Sequence, residues 1–177
     1  MSFLARIFEN LRQQPERTKL IEVRGTSLQG TDGAGILELI GRARAAMEQA
    51  GLQPGDRVAL LAPNSTRWVA ADLAVLACGG IVVPLYDRQD PKELAVMLRS
   101  AEPRLLLAAT KELAAPVVEA WPEGKGSATV LDFEALFQPA PAVKDPHRFA
   151  EGDTVAIIYT SGTSGEPKGV MLSRANV

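Results

Sequence analysis

The chain has one cysteine, one histidine and nine aromatic residues among 177, and its charges nearly cancel, with 19 Lys+Arg against 21 Asp+Glu. Each shortage removes a class of function. Cys78 alone forms no internal disulfide, so the fold does not depend on an oxidising compartment. Cys78 and His147 together fall short of a structural zinc set. Two Trp, two Tyr and five Phe are too few for the stacking platforms of a single-strand nucleic-acid binder. A net charge of −2 supplies no electrostatic footprint for nucleic acid or an anionic membrane. The longest apolar stretch, Val69 to Pro84, is interrupted by Asp72, Gly79 and Gly80, so no transmembrane helix is expected. What remains is a 46% hydrophobic, 23% charged chain of globular composition, long enough to bury a core.

Met1 to Gln14 places Phe3, Leu4, Ile7, Phe8 and Leu11 at helical spacing. Charges interrupt any signal-peptide core, and the polar side mixes signs, so this amphipathic helix is expected to pack onto the domain, with membrane contact as the lesser alternative. The chain reads as cytoplasmic. Beyond the first helix, strand-like and helix-like segments alternate. Lys19–Val23 reads as a strand, Gly25–Gly35 as turns, and Ile36–Ala50 as a helix with Gly51 at its C-terminal end. Arg57–Leu61 is an apolar run suited to a buried strand, and Thr66 is the expected cap of a helix through Cys78. Ile81–Pro84, Arg104–Ala108 and Ala128–Leu131 read as further strands, with helices over Pro91–Ala101 and Lys111–Ala120 between them. Asp90 caps the first of these helices, and Pro91 forgoes no amide bond in its first turn. The expected fold is α/β, a mostly parallel sheet with helices on both faces, ending in a strand–Gly-rich loop–strand. Pro139–His147 reads as an exposed connection, which suggests two parts, 1–150 and 151–177.

Chemistry concentrates in the last part. Thr154–Tyr159 is a strand by composition and runs into Thr160-Ser161-Gly162-Thr163-Ser164-Gly165-Glu166-Pro167-Lys168-Gly169, with Val170-Met171-Leu172 as a second strand. Three glycines, four hydroxyls and one lysine in ten positions suit a polyphosphate. Glycines let successive amides turn inward as an anion nest, hydroxyls donate, and the lysine brings a mobile positive charge. Glu166 is expected to face outward, away from phosphate. The spacing is neither that of a Walker A loop nor of G-x-G-x-x-G nor of G-x-S-x-G. Because two strands flank the loop, anion binding would rest on backbone amides and Lys168 without a helix dipole. A mobile Gly/Ser hairpin turn is the plain alternative.

Thr160 to Val170 resembles the signature phosphate loop of the adenylate-forming (AMP-binding) superfamily, which includes acyl-CoA synthetases, luciferases and peptide-synthetase adenylation domains. Gly55–Leu60, Pro63-Asn64 and Gly79–Leu85 are similar to that family's N-terminal region in order and spacing, and Val83-Pro84-Leu85-Tyr86 looks most like fatty acyl-CoA ligases. The resemblance implies a ligase in which a carboxylate attacks the α-phosphate of ATP, pyrophosphate leaves, and the acyl group of the acyl-adenylate passes to the CoA thiol. It implies ATP, Mg²⁺ and CoA as cofactors and a carboxylic, fatty-type acid as substrate. Thr160, Ser161, Gly162, Thr163, Ser164, Gly165 and Lys168 would position the β- and γ-phosphates. No catalytic or metal-binding residue is assigned within the chain. Only nine residues follow Lys168, and the family's catalytic groups are expected beyond Val177.

The expectation is therefore an N-terminal fragment, inactive alone, whose partner is the remaining C-terminal portion of the same enzyme. A stand-alone, non-catalytic nucleotide- or partner-binding module is the alternative. Ser173 looks like a helix cap. Arg174 stands where many family members have His, and no acyl-binding role is carried onto it. Cys78 is expected to be a small core residue with no basic partner, His147 an exposed one, Trp68 and Tyr86 packing residues, and Asp87 and Asp90 turn and cap residues.

Overall fold

A computed structural model of the chain describes residues 3–124, 126–140, 144–161 and 167–177. Helix α1 (Phe3–Gln13) precedes a hairpin of β1 (Thr18–Arg24) and β2 (Ser27–Asp32), and α2 (Gly33–Gln49) follows. Then come β3 (Arg57–Leu61), α3 (Thr66–Ala77), β4 (Ile81–Leu85), α4 (Pro91–Ala101), β5 (Leu105–Ala108), α5 (Lys111–Ala120), β6 (Thr129–Asp132) and α6 (Phe133–Leu136). β7 (Thr154–Ser161) and β8 (Pro167–Ser173) close the sequence of elements before a short 3-10 turn, Arg174–Asn176. Six strands form one sheet in the order β6-β5-β3-β4-β7-β8, parallel throughout except for the antiparallel pair β7–β8. The expected α/β architecture is the one observed.

The apolar runs are continuous because the central strands are buried on both sides. Val58 and Leu60 of β3, with Leu105 and Leu107 of β5, face a core shared with α1, α2, α3 and α6. The alternate residues Ala59, Leu61 and Leu106 face a second core with α4 and α5. Helix ends follow the local chemistry. The Asp90 carboxylate accepts the Lys92 N–H at 2.8 Å with Pro91 in the first turn, and Asp32 and Thr110 cap α2 and α5 through the N–H groups of Gly35 and Leu113. Gly51, at φ +82°, takes the left-handed position just after α2.

Several expectations need correction. The Gly25–Gly35 segment is not turn throughout: Ser27–Asp32 is a strand, in register with β1 through pairs such as Val23–Leu28. Residue 27–32 composition does not announce a strand; cross-strand pairing makes one. The cap of α3 is Ser65, one residue earlier than Thr66, because Ser65 has the extended backbone that lets its hydroxyl accept the Trp68 N–H at 3.1 Å. His147 and the backbone around it are not simply exposed. The His147 N–H donates to the Ala77 carbonyl at 3.0 Å, and the ring lies edge-on to Phe149. Cys78 does have cationic neighbours, Arg44 and Lys144, yet burial is the stronger influence and pushes its thiol up, as suits a packing residue.

Two positions carry measurable consequences. Asp72 lies on α3 between buried Ala71 and Leu73, and desolvation pushes its carboxyl up to about 6. The folded state therefore holds this proton more tightly than the unfolded chain, so the Asp72 contribution falls as pH rises from about 4 through about 6 and stays low above. Asp72→Asn is expected to raise the melting temperature at pH 8 and to leave it little changed at pH 4, measured as the variant-minus-wild-type difference in a thermal melt series. The second position is Gly169, opposite Tyr159 in the β7–β8 ladder. A Cβ there would come within 2.9 Å of Ile157 Cγ2 and 3.2 Å of the Tyr159 ring. Gly169→Ala should cost about 1–2 kcal/mol in urea unfolding, whereas Gly152→Ala, with open space around its Cβ, should stay within about 0.5 kcal/mol.

Candidate functional site

The two cores determine where a ligand could enter. α3 leaves β3 toward one face of the sheet, and α4 leaves the adjacent β4 toward the other. The chain runs outward from β3 to β4 and then back past β3 to β5, so strand order reverses between β3 and β5. Beside that point, above the carboxyl ends of β3 and β4, lies a cleft of about 650 Å³ lined by Ala62, Pro63 and Asn64 after β3 and by Tyr86, Asp87 and Arg88 after β4. Trp68, from the first turn of α3, completes the wall. Trp68 and Tyr86 thus border the cleft instead of serving only as packing, and Tyr86 is 61% exposed. Asp87 lies in the turn that the Gln89 N–H closes onto the Tyr86 carbonyl.

β7 runs parallel to β4, with Ala156 opposite Val82. Its last residues, Thr160 and Ser161, therefore reach the same carboxyl edge of the sheet as the cleft. In the antiparallel return, Lys168 stands opposite Thr160 and Pro167 opposite Ser161. Thr160 and Lys168 are both exposed. Among the described residues Lys168 has no ion-pair partner, so its ammonium is available to an anion. Gly162, Thr163, Ser164, Gly165 and Glu166, the last expected to face outward, lie outside the described residues. The flanking strands are as expected, and the described ends of the segment meet across a single ladder. No group of three His, Cys, Asp or Glu side chains among the described residues could hold a metal ion.

Glu22 was not singled out by its sequence context, yet it shapes the wall of the cleft. From β1 it reaches the start of α3 and accepts the Thr66 N–H at 2.6 Å. That bond, followed by the Arg24 guanidinium, holds the Glu22 carboxyl below the usual carboxylate range. With Ser65, it satisfies two of the amide donors that a helix start leaves open, and a carboxylate there also complements the helix dipole. The Pro63–Asn64 backbone is thereby fixed between hairpin and helix. Arg174 is engaged elsewhere: its guanidinium meets Glu151 at 3.1 Å and its N–H donates to the Asp153 carbonyl at 2.8 Å, which ties the end of β8 to the start of β7. Ser173 does act as a cap, its N–H and hydroxyl both donating to Asn176 Oδ1 at 2.8 Å. Val177 follows that turn and is 57% exposed. Its apolar side chain has no chemistry to offer the site and does not line the cleft.

The chain is similar to several known proteins. It is 33% identical over 144 residues to the putative acyl-CoA ligase YdaB of Bacillus subtilis, covering 75% of this chain and 28% of that protein. It is 31% identical over 177 residues to the hybrid PKS-NRPS synthetase LUC5 of a Fusarium species, covering 98% of this chain and 4% of that protein. The chain thus spans under a third of either relative. A benzoate CoA ligase from Burkholderia xenovorans superposes with a TM-score of 0.81 at 20% identity, over 99% of this chain and 35% of that one, a likeness of fold. The family model described as AMP-binding enzyme matches residues 7–177, and the chain belongs to the AMP-binding enzyme family.

Proposed function

We propose that this chain is the N-terminal portion of an ATP-dependent acyl-CoA ligase that activates a carboxylic acid, of fatty type, as an acyl-adenylate and passes the acyl group to CoA. The observation that carries the reading is the placement of Thr160 and Lys168 opposite one another at the carboxyl edge of the sheet, on the side of the cleft above β3 and β4. Thr160, Ser161, Gly162, Thr163, Ser164, Gly165 and Lys168 hold the β- and γ-phosphates of ATP in this reading. The exposed Lys168 ammonium, without an ion-pair partner among the described residues, fits that charge. The described residues supply no carboxylate set for Mg²⁺, so in this reading the ion comes with the nucleotide.

The residues of the chain contribute position and charge. Lys168 and the hydroxyls keep the leaving pyrophosphate aligned while negative charge accumulates on it. No covalent role is assigned to the residues of this chain, and no acid-binding role is carried onto Arg174, which pairs with Glu151. A break near residue 150, between an N-terminal α/β subdomain and the beginning of the next, belongs to the same reading, and so does a cytoplasmic setting. The rest of the enzyme, beyond Val177, is the partner that completes the adenine, acid and thiol sites. A second reading replaces CoA by a carrier-bound thiol. The 31% identity with a PKS-NRPS synthetase over 98% of the chain supports it.

The 177-residue chain is expected to bind magnesium pyrophosphate or MgATP in isothermal titration, and Lys168→Met should weaken that binding about tenfold, a charge-assisted hydrogen bond of ~1.4 kcal/mol. Equal affinity of wild type and variant would remove Lys168 from the site. With fatty acids of varied length, the same chain should give no ATP–pyrophosphate exchange. Sustained exchange would overturn its reading as an incomplete ligase. In the longer polypeptide, acid-dependent AMP release on addition of CoA selects the ligase, and release only with a phosphopantetheinylated carrier selects the second reading.

A further inference from the structure

α2 buries an arginine. Arg44 is 8% exposed and lies one turn after Ile40, on the stripe that otherwise carries Ile36, Ala43 and Met47. A guanidinium in such a place is destabilising unless its donors are used. Arg44 Nη1 donates to the carbonyls of Lys144 and Asp145, at 2.9 and 3.1 Å, and Nη2 lies 3.6 Å from Glu48 Oε1. Two successive carbonyls of an irregular segment, which have no ladder to join, thus find donors 100 residues away along the chain. Both carbonyls are served by Nη1, while Nε finds no hydrogen-bond partner among the described residues.

The same segment is held at further points. Lys144 Nζ meets Glu48 at 2.8 Å and Arg12 meets Asp145 at 2.8 Å, exposed pairs that add little individually. The His147 N–H bonds to Ala77, and the imidazole lies on Gly79 so closely that a Cβ on that glycine would come within 2.9 Å of it. Residues 144–149 therefore form a strap across α2 and α3. The strap leads directly into β7, which runs parallel to β4 with Ala156 opposite Val82 among the described residues. Arg174 ties the far end of β8 back to Glu151 and Asp153, close to the strap.

We propose that Arg44 is a positioning residue for the phosphate-binding segment: by clamping the strap, it sets where the β7–β8 hairpin stands against β4, and with it Thr160 and Lys168. Its consequence for ligand binding rests on the reading of residues 160–169 as a phosphate loop; its consequence for the hairpin does not. Without the clamp, strap and hairpin open as one unit while the β3–β5 core stays closed. Pyrophosphate must then order the hairpin on binding and binds more weakly.

Hydrogen exchange by mass spectrometry on the 177-residue chain tests this, with Arg44→Met, His147→Ala and the control Arg42→Met, which removes an α2 arginine bonded to Glu38 and the Phe137 carbonyl. Arg44→Met should speed exchange in residues 144–161 and 167–173 by about tenfold or more, leave β3 and β5 unchanged, and lower pyrophosphate affinity by a similar factor. Arg42→Met should do neither. Unchanged protection of the hairpin in Arg44→Met, or equal loosening of β3 and β5, overturns the proposal. Should Arg44→Met fail to fold, His147→Ala decides: it loosens the same segment, or the proposal falls. A loosened hairpin with undiminished pyrophosphate affinity removes the positioning role. A wild type that binds no pyrophosphate defeats the phosphate-loop reading and with it the role in ligand placement, while the exchange data still judge the clamp.

Discussion

β3 and β4 lie side by side and parallel, and their crossover helices depart to opposite faces of the sheet. Right-handed crossovers leave a chain of this order little choice. β3 connects outward to β4 through α3, and β4 must then pass back over β3 to reach β5, which puts α4 on the other side. The cleft lies above the carboxyl ends of β3 and β4, between the segments that follow the two strands. Because β7 adds to β4 in parallel, the strand that carries Thr160 ends at that carboxyl edge as well. The location of the site is thus a property of strand order, and its chemistry a property of a few residues placed at strand ends.

Strand order itself was only partly legible in the residues. Alternation of apolar runs with helical stripes, the Asp90-Pro91 start and the Gly51 stop have local causes, and they specify an α/β sheet with helices on both faces. The β1–β2 hairpin was half legible. Lys19–Val23 has the apolar composition of a strand, but Ser27–Asp32 contains one apolar residue, Leu28, and is a strand only because β1 lies beside it. The cap of α3 shows a finer limit. Ser65 and Thr66 are both suitable hydroxyl residues, and only the backbone angles, extended at Ser65, assign the role.

At the site, the difference between local and distant causes is sharper. The Thr160–Gly169 composition announces an anion loop because its donors, turns and charge are contiguous. Glu22 and Arg44 act on groups far along the chain, Glu22 on the Thr66 amide and Arg44 on the carbonyls of residues 144 and 145. Neither has a neighbour in sequence that reveals its partner. Arg44 did leave one trace: a cation on the buried stripe of α2 is out of place unless something apposes it. An ionisable group on an apolar helix face is thus a sequence-level sign of a tertiary hydrogen bond, though not of its address.

The flanking ladder also constrains what the anion loop can be. In a P-loop the segment opens a helix, whose first amides and dipole serve the phosphate together. Here β7 and β8 continue to its two ends, and the rungs Thr160–Lys168 and Ser161–Pro167 close it. Pro167 has no N–H to give, a residue tolerated at the first position of an edge strand. Lys168 is then the sole cation in the ten-residue segment, and in the proposed reading it faces a ligand carrying several negative charges. A single ammonium on a flexible stem neutralises only part of that charge, so orientation must come from the rigidity of the strands below. Gly169 contributes to that rigidity by admitting the Tyr159 ring across the ladder, and the strap held by Arg44 contributes by fixing where β7 begins. With so little positive charge in the segment, a phosphate site of the proposed kind would depend more on how firmly the hairpin is seated than on how strongly it attracts.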